Sequence, residues 1–161
     1  MSKKLYSVGE AQRLAKVKLP KMIYDFVEGS AGDESLRDLN TAALDKMRLM
    51  PRVLIDVSKR SLDLQFLGQD YGLPFGVAPM GMCNLVWPLA DQIIAREAAR
   101  RRFPVAVSTA SSTTLERMIE LADGFAWFQL YADQSPEFVS DLIERAASAN
   151  YDCLILTVDV P

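Results

Sequence analysis

The stretch LILTVDVP, residues 154–161, indicates how this chain folds. Its first residues are continuously apolar, as in a strand covered on both faces, and the polar residues Thr157 and Asp159 follow at its carboxyl end. Three earlier stretches have the same form: LPFGVAP (73–79), FPVAVST (103–109) and FAWFQLY (125–131). The sequence therefore predicts four buried strands, each followed by polar or glycine-containing residues.

Helical patterns separate these strands. They cover residues 89–101, 114–121 and 135–149, and Ser135 with Pro136 and Glu137 forms a helix start before the last of them. Strand starts recur about every 20 to 30 residues, which is the length of a strand-helix unit with a right-handed crossover. The predicted order is β-α-β-α-β-α-β, with all four strands parallel.

Two architectures use this order, the open doubly wound sheet and the (β/α)₈ barrel. No G-x-G-x-x-G motif follows the first strand, which disfavours the dinucleotide-binding form of the open sheet. Barrel enzymes build their sites from the carboxyl ends of several strands, and four consecutive polar strand ends fit one such rim. A complete barrel needs eight strands and roughly 250 residues. The predicted fold is therefore the first half of a (β/α)₈ barrel.

A helical segment precedes the barrel strands. Ser7 and Glu10 form a capping box, Pro20 is predicted as the first residue of a helix that ends at Gly29, and a third helix follows over residues 33–50. The alternating stretch 62–68 predicts one half-exposed strand. We expect a single incomplete domain over 1–161, with the helices and a capping strand in 1–70 and the four barrel strands with three helices in 71–161.

Composition excludes several classes of function. The 161 residues include 18 basic and 21 acidic ones, a net charge of −3, so a nucleic-acid partner is not expected. The start of the chain has no apolar segment of the secretory type, which predicts a cytoplasmic location. Cys83 and Cys153 lack metal-ligand spacing, so no metal site is expected. The chain contains no histidine, the commonest general base.

Five stretches in this chain resemble one enzyme family in their order and spacing. They are YDFVEGSAGDE (24–34), LPFGVAPMG (73–81), VSTAS (107–111), WFQLY (127–131) and LTVDVP (156–161). The family is that of the FMN-dependent α-hydroxy acid oxidising enzymes, which include L-lactate dehydrogenase, glycolate oxidase and (S)-mandelate dehydrogenase. The resemblance covers essentially the whole chain.

The resemblance implies that FMN is the cofactor and that six residues lie beside its ring. An amide and two hydroxyls suit the mixed donors and acceptors of the ring's polar edge, and a backbone segment runs near its N5 atom. Without the resemblance, such polar strand ends would as readily satisfy local backbone groups. The side-chain contacts are Ser108, Gln129 and Thr157, and the backbone segment is Ala78, Pro79 and Met80, where Met80 replaces a threonine common in the family.

The resemblance also implies roles in substrate binding and catalysis. Tyr24 matches the tyrosine that hydrogen-bonds the substrate carboxylate, and Tyr131 matches the one beside its hydroxyl and carboxylate. Asp159 matches a carboxylate that orients the catalytic histidine and stabilises it as an imidazolium. Tyr131 and Asp159 are therefore the candidate catalytic residues. From the residues alone, the tyrosines could equally be core aromatics, and Asp159 a helix cap or an ion-pair partner.

Two small residues bear on the choice of substrate. Gly81 and Ala110 match positions near the substrate's side chain, where glycolate-type members place larger groups. The resemblance to the mandelate-type branch implies room for a bulkier hydroxy acid. The alternative is that Gly81 serves only the backbone geometry of its loop.

The implied reaction is oxidation of an (S)-2-hydroxy acid to a 2-oxo acid, followed by electron transfer to oxygen, a quinone or another carrier. In the family, the histidine base, the arginines and a lysine come from strands five to eight. We therefore expect an N-terminal fragment of a homo-oligomeric enzyme that is inactive alone, aggregates through its open strand edges, and acts in the cytoplasm or at the inner face of the membrane. The alternatives are a non-catalytic half-barrel subunit that pairs with a partner chain, and another flavin- or phosphate-binding barrel.

Overall fold

The computed structural model describes residues 5–132 and 135–158. Within these ranges the chain forms two compact units, one up to Lys59 and one from Arg60 onward. None of the helices in the described ranges is both long enough and apolar enough to span a membrane.

The first unit contains three helices, α1 (Val8–Lys18), α2 (Lys21–Glu28) and α3 (Ser35–Asp45). The Ser7 hydroxyl accepts a hydrogen bond from the Glu10 backbone N–H at 3.2 Å, which confirms the predicted cap. Pro20 caps α2 and does not enter it, so this helix begins one residue later than predicted. Gly29 ends α2 in close contact with the preceding turn, since a Cβ there would lie 2.8 Å from the Asp25 carbonyl oxygen.

The three helices of this unit expose their apolar side chains. None of their described residues is buried, and the stripe on α3 is open to solvent, with Leu36 67% exposed. Only α1 has a side-chain cap hydrogen bond among the described residues, and packing within the unit leaves the apolar stripe exposed.

The second unit begins with an antiparallel hairpin of β1 (Leu64–Phe66) and β2 (Gln69–Tyr71). The strand predicted over 62–68 is confirmed as β1, and the sequence interpretation missed β2. Leu67 and Gly68 turn the chain with φ angles of 50° and 81°. Two-residue hairpin turns need positive φ angles, and leucine is a rare residue at such a position, so the turn gave no recognisable signal.

Four parallel strands form the main sheet: β3 (Val77–Met80), β4 (Val105–Ser108), β5 (Ala126–Tyr131) and β6 (Leu154–Thr157). They pair in chain order, each with the next. The helices α4 (Ala90–Arg101), α5 (Leu115–Leu121) and α6 (Pro136–Ser148) connect them, and a 3₁₀ turn at Cys83–Leu85 follows β3. The predicted strand and helix order is confirmed.

The core lies between this sheet and its helices. Phe128 and Leu130 of β5 are buried against Leu142 and Ala146 of α6 and Leu115 of α5. A second cluster of buried residues contains Val105 and Val107 of β4, which lie on the same face of the sheet. Because side chains alternate across a strand, Ser108 and Gln129 point to the opposite face. The helices thus cover one face, and the polar strand ends occupy the other.

Candidate active site

The carboxyl ends of β4, β5 and β6 bring together three of the predicted cofactor contacts. The Gln129 side-chain N–H donates to the Thr157 hydroxyl at 2.8 Å, and Ser108 is the neighbour of Gln129 in the β4–β5 register. Gln129 is 1% exposed and Ser108 is 5% exposed. These residues are 49 positions apart in the chain, from 108 to 157, and only the sheet makes them neighbours.

The second polar atom of the Gln129 side chain has no hydrogen-bond partner among the described residues. Its Oε1 is buried and accepts no hydrogen bond within the described residues. An unsatisfied buried acceptor costs about 1–3 kcal/mol, and a ligand that offers an N–H or O–H donor would remove that cost. The site therefore presents an acceptor at the end of β5, beside the hydroxyls of Ser108 and Thr157.

Thr109 fixes the end of β5, and the sequence interpretation counted it among the polar strand ends without giving it a role. Its hydroxyl donates to the Gln129 carbonyl at 2.7 Å and accepts from the Tyr131 backbone N–H at 3.1 Å. One side chain thereby extends the β4–β5 pairing beyond the last regular strand residue. The position of Thr109 directly after Ser108 was the available signal, but its partners lie 20 and 22 residues away.

The remaining predicted site residues are Tyr131, Tyr24 and Asp159. Tyr131 ends β5 on the same face as Gln129 and is 38% exposed, so its ring is open to a ligand. Tyr24 lies half-buried on α2 in the first unit. Asp159 lies outside the described residues.

The end of β3 meets the loop after β4. Ala78, Pro79 and Met80 form the strand end, and Gly81 follows it. A Cβ on Gly81 would lie 3.0 Å from the Cβ of Ala110, closer than side chains normally approach. The Met82 backbone N–H donates to the Ala110 carbonyl at 3.0 Å. The structure therefore brings Gly81 and Ala110 close together, and a side chain at Gly81 would require Ala110 to shift.

A buried carboxylate holds the loop after β4. Asp91, in the first turn of α4, is 4% exposed and accepts from the Ser111 hydroxyl at 3.1 Å and the Ser112 backbone N–H at 2.9 Å. Burial, together with a hydrogen bond to Asp91 and its charge, raises the pKa of the Cys83 thiol to about 11. Cys83 is therefore protonated at neutral pH and is a poor nucleophile.

A cavity of about 790 Å³ lies elsewhere, between α5 and α6. Its lining includes the carboxylates of Glu116, Glu120, Asp123, Asp141 and Glu144 beside the single cation of Arg145. Negative charge repels a phosphate-bearing ligand. We therefore place the candidate site at the strand ends, although the cavity between the helices is larger.

Comparison with known proteins gives a consistent family. The family described as FMN-dependent dehydrogenase matches residues 15–161. The chain is 36% identical to (S)-mandelate dehydrogenase of Pseudomonas putida over 160 residues, which cover 99% of this chain and 40% of that enzyme. It is also 36% identical to L-lactate oxidase of Nostoc sp., covering 94% of this chain and 43% of the oxidase.

A solved structure agrees with the fold. The crystal structure of a soluble mutant of the membrane-associated (S)-mandelate dehydrogenase from Pseudomonas putida superposes with a TM-score of 0.89 at 36% identity. The match covers 98% of this chain and 45% of that one. The chain thus spans about two fifths of the length of the curated relatives it matches. The four parallel strands are the first half of a (β/α)₈ barrel, as predicted.

Proposed function

Because the chain belongs to the FMN-dependent dehydrogenase family, we propose that it forms the N-terminal half of an enzyme that oxidises an (S)-2-hydroxy acid to a 2-oxo acid. The names of its relatives, a mandelate dehydrogenase and a lactate oxidase, support this substrate class. The observation that carries the proposal is the buried, unpartnered Oε1 of Gln129 beside Ser108 and Thr157.

This group of residues fits the polar edge of a flavin ring. That edge carries both N–H donors and carbonyl acceptors, so it needs a matching mixture from the protein. Gln129 offers an acceptor, and the hydroxyls of Ser108 and Thr157 can donate or accept. The backbone of Ala78, Pro79 and Met80, at the neighbouring strand end, is the segment proposed to lie along the ring.

FMN, when bound, accepts the two electrons that leave the substrate. The substrate loses the hydrogen on its C2 and the proton of its hydroxyl, and the C–O single bond becomes a carbonyl. In this proposal, Tyr131 donates a hydrogen bond to the substrate's hydroxyl or carboxylate, and Tyr24 donates to its carboxylate. Both would hold the anionic substrate in one orientation for the reaction.

The base that takes the hydroxyl proton must come from outside these residues, since the chain has no histidine. We propose that Asp159 orients that histidine and stabilises its protonated form. The 161 residues alone would then bind FMN weakly and oxidise nothing. The final electron acceptor is proposed to be oxygen, a quinone or another carrier.

Gly81 and Ala110 are proposed to shape the space for the substrate's side chain. Both lack bulk, and the structure holds them in contact at the end of β3. This would leave room for a larger side chain than that of glycolate. The similarity to a mandelate dehydrogenase supports the same choice.

The test joins this chain in frame to the C-terminal part of (S)-mandelate dehydrogenase from Pseudomonas putida. We expect the purified fusion to carry FMN, visible in its absorbance, and to oxidise 2-hydroxy acids. Gln129→Ala should weaken FMN binding about tenfold, the loss of one good hydrogen bond. The matched control is Gln65→Ala, on the exposed strand β1. A folded fusion without flavin would refute the proposal.

One observation favours the alternative of a half-barrel subunit that pairs with a separate partner chain. Leu154 and Leu156 of β6 are 48% and 54% exposed on the face that helices cover elsewhere in the sheet. The nucleotide sequence after codon 161 distinguishes the two proposals. A continuing frame that encodes the lysine, histidine and arginines supports the single enzyme, whereas a stop codon and a partner chain with those residues supports the subunit.

The assembly and location of the complete protein are also proposals. A homo-oligomer is proposed for the full-length enzyme. A cytoplasmic protein that attaches to the inner face of the membrane is consistent with the membrane-associated mandelate dehydrogenase among its structural relatives.

A further inference from the structure

Asp91 is a buried charge to which the reaction proposed above gives no role. It is 4% exposed, and no lysine or arginine in the described ranges forms an ion pair with it. Burying an unpaired carboxylate is costly unless hydrogen bonds replace its hydration. Ser111 and Ser112 supply those hydrogen bonds, and the positive end of the α4 dipole adds to them. The Cys83 thiol lines the same small cavity and donates to the Met80 carbonyl at 3.7 Å.

The residues around Asp91 belong to the two loops that meet at the strand ends. Cys83 lies in the loop after β3, and Ser111 and Ser112 lie in the loop after β4. Between them, the Met82 N–H donates to the Ala110 carbonyl, and the Ser108 hydroxyl accepts from the Ala110 N–H at 3.1 Å. Asp91 therefore holds the loop after β4, and the hydrogen bond from Met82 to Ala110 joins that loop to the one after β3.

We propose that Asp91 is a positioning residue that holds Ala110 against Gly81 and thereby sets the shape of the space for the substrate's side chain. The identity of the ligand in this inference rests on the proposed function. Its structural half, the restraint that Asp91 places on Ala110, does not. Through Ser111 and Ser112, the carboxylate fixes the loop that carries Ala110.

Close packing around Asp91 passes this restraint on to Ala110. A cavity of about 10 Å³ remains among Met80, Cys83, Asp91, Ser108 and their neighbours, which is room for at most one water molecule. The gap between Gly81 and Ala110 is also narrow, since a Cβ added at Gly81 would lie 3.0 Å from the Ala110 Cβ. A loop released at Ser111 and Ser112 would therefore shift at Ala110 and weaken its hydrogen bond with Met82.

The first test uses the 161-residue chain and measures amide hydrogen exchange by NMR. In Asp91→Ala we expect the Ser112 amide to exchange at least tenfold faster. We expect the same of the Met82 amide, which has no contact with Asp91 and reports on Ala110. The Val105 amide, in the buried part of β4, should keep its rate and show that the unit is folded. Acceleration at Ser112 with no change at Met82 would overturn the proposal.

Three further variants make this result specific. Asp91→Asn keeps an acceptor oxygen and the side-chain volume, so Met82 exchange should return to within about threefold of the original rate. Ser111→Ala removes one donor and should accelerate the Met82 amide to a smaller extent. If Asp91→Ala also accelerates exchange at the Val105 amide, Ser111→Ala takes its place, and an unchanged Met82 amide in that variant would overturn the proposal. Glu97→Ala, on the same helix and ion-paired at the surface, should change neither amide.

The second test uses the FMN-loaded fusion and compares kcat and KM for glycolate, lactate and mandelate. In Asp91→Ala we expect the preference for the bulkiest accepted acid over the smallest to change at least tenfold, chiefly through KM. Glu97→Ala should leave that preference unchanged. An active fusion in which Asp91→Ala slows all acids equally would overturn the inference and leave the proposed function standing. A fusion without flavin or turnover would instead refute the proposed function, and the exchange test would still decide the structural half.

Discussion

Two adjacent strands, β5 and β6, have the same apolar character but different surroundings. Phe128 and Leu130 of β5 are 1% and 2% exposed, whereas their register partners Leu154 and Leu156 of β6 are 48% and 54% exposed. All four side chains point to the same face of the sheet, where α5 and α6 cover the residues of β5 but leave those of β6 exposed. The difference teaches that an apolar strand pattern predicts the strand but does not by itself provide the layer that buries it.

The largest expected effect comes from truncating one leucine in each strand. Leu130→Ala should lower the free energy of unfolding by about 2–5 kcal/mol, because it leaves a cavity in a packed core. Leu156→Ala should cost less than about 1 kcal/mol, since half of this side chain already contacts solvent. Urea denaturation followed by circular dichroism measures both. Equal losses would mean that β6 is covered in solution, and the comparison would fail.

The next-largest effect is expected from a hydrogen bond that joins the segment after α6 to α5, next to β5. Tyr151 donates its hydroxyl to the Leu115 carbonyl at 2.8 Å, and its ring packs on Phe128 with centroids 6.0 Å apart. Tyr151→Phe keeps the ring but leaves that carbonyl unpaired, so we expect a loss of about 1–2 kcal/mol in the same denaturation experiment. Tyr6→Phe is the control, because Tyr6 is 83% exposed, and a similar loss there would contradict this explanation.

A smaller effect is expected from the ion pair between α5 and α6. Arg145 makes two hydrogen bonds to Glu116, at 2.8 and 3.2 Å, and lowers the pKa of that carboxyl. The two side chains are 42% and 48% exposed, so Arg145→Gln should cost only about 0.5 kcal/mol at pH 7.

The pH dependence of that pair has a definite sign. A carboxyl whose pKa is lowered on folding stabilises the protein above its ordinary pKa, and this stabilisation is lost as the pH falls through the lowered value. The difference between Arg145→Gln and the original chain should therefore be present at pH 7 and should diminish as the pH falls below the ordinary glutamate pKa of about 4.3. Arg117→Gln is the control, because its partner Glu120 lies on the same helix. A difference that persists in acid would rule out the ion pair as its cause.

Placing a charge on the open face of β6 should give the smallest change in stability. It also tests most directly whether that face is exposed. Leu156→Lys should alter the free energy of unfolding by no more than about 0.5 kcal/mol. It should also reduce self-association, measured by sedimentation velocity, because exposed apolar strand surface favours association. Val17→Lys, at an 84% exposed position on α1, should leave association unchanged. If Leu156→Lys associates like the original chain, β6 is not the contact surface.

Local patterns were sufficient to predict the regular elements. Continuous apolar runs predicted β3 to β6, and Ser7 and Ser135 marked the helix starts that the structure has. The hairpin was missed because its turn depends on a left-handed leucine. The motifs also pointed to Ser108, Gln129 and Thr157, which the structure places together.

Other features depended on contacts between distant residues. Thr109 meets Gln129 and Tyr131 across two strands, and Asp91 meets Ser111 and Ser112 across 20 and 21 residues. A single threonine or an acidic residue in a first helical turn has many possible roles in sequence, and the partner is what distinguishes them. The Gly81–Ala110 contact is of the same kind.

The sequence by itself determined the order of parallel strands and helices, the polar strand ends and the family. It could do so because backbone preferences and apolar periodicity act over a few residues. Only the tertiary structure decided that Gln129 keeps a buried acceptor free among the described residues, that Asp91 holds the loop after β4, and that β6 lacks the cover that β5 has. Burial and hydrogen-bond satisfaction depend on which distant residues meet, and that is a property of the packed sheet and its helices.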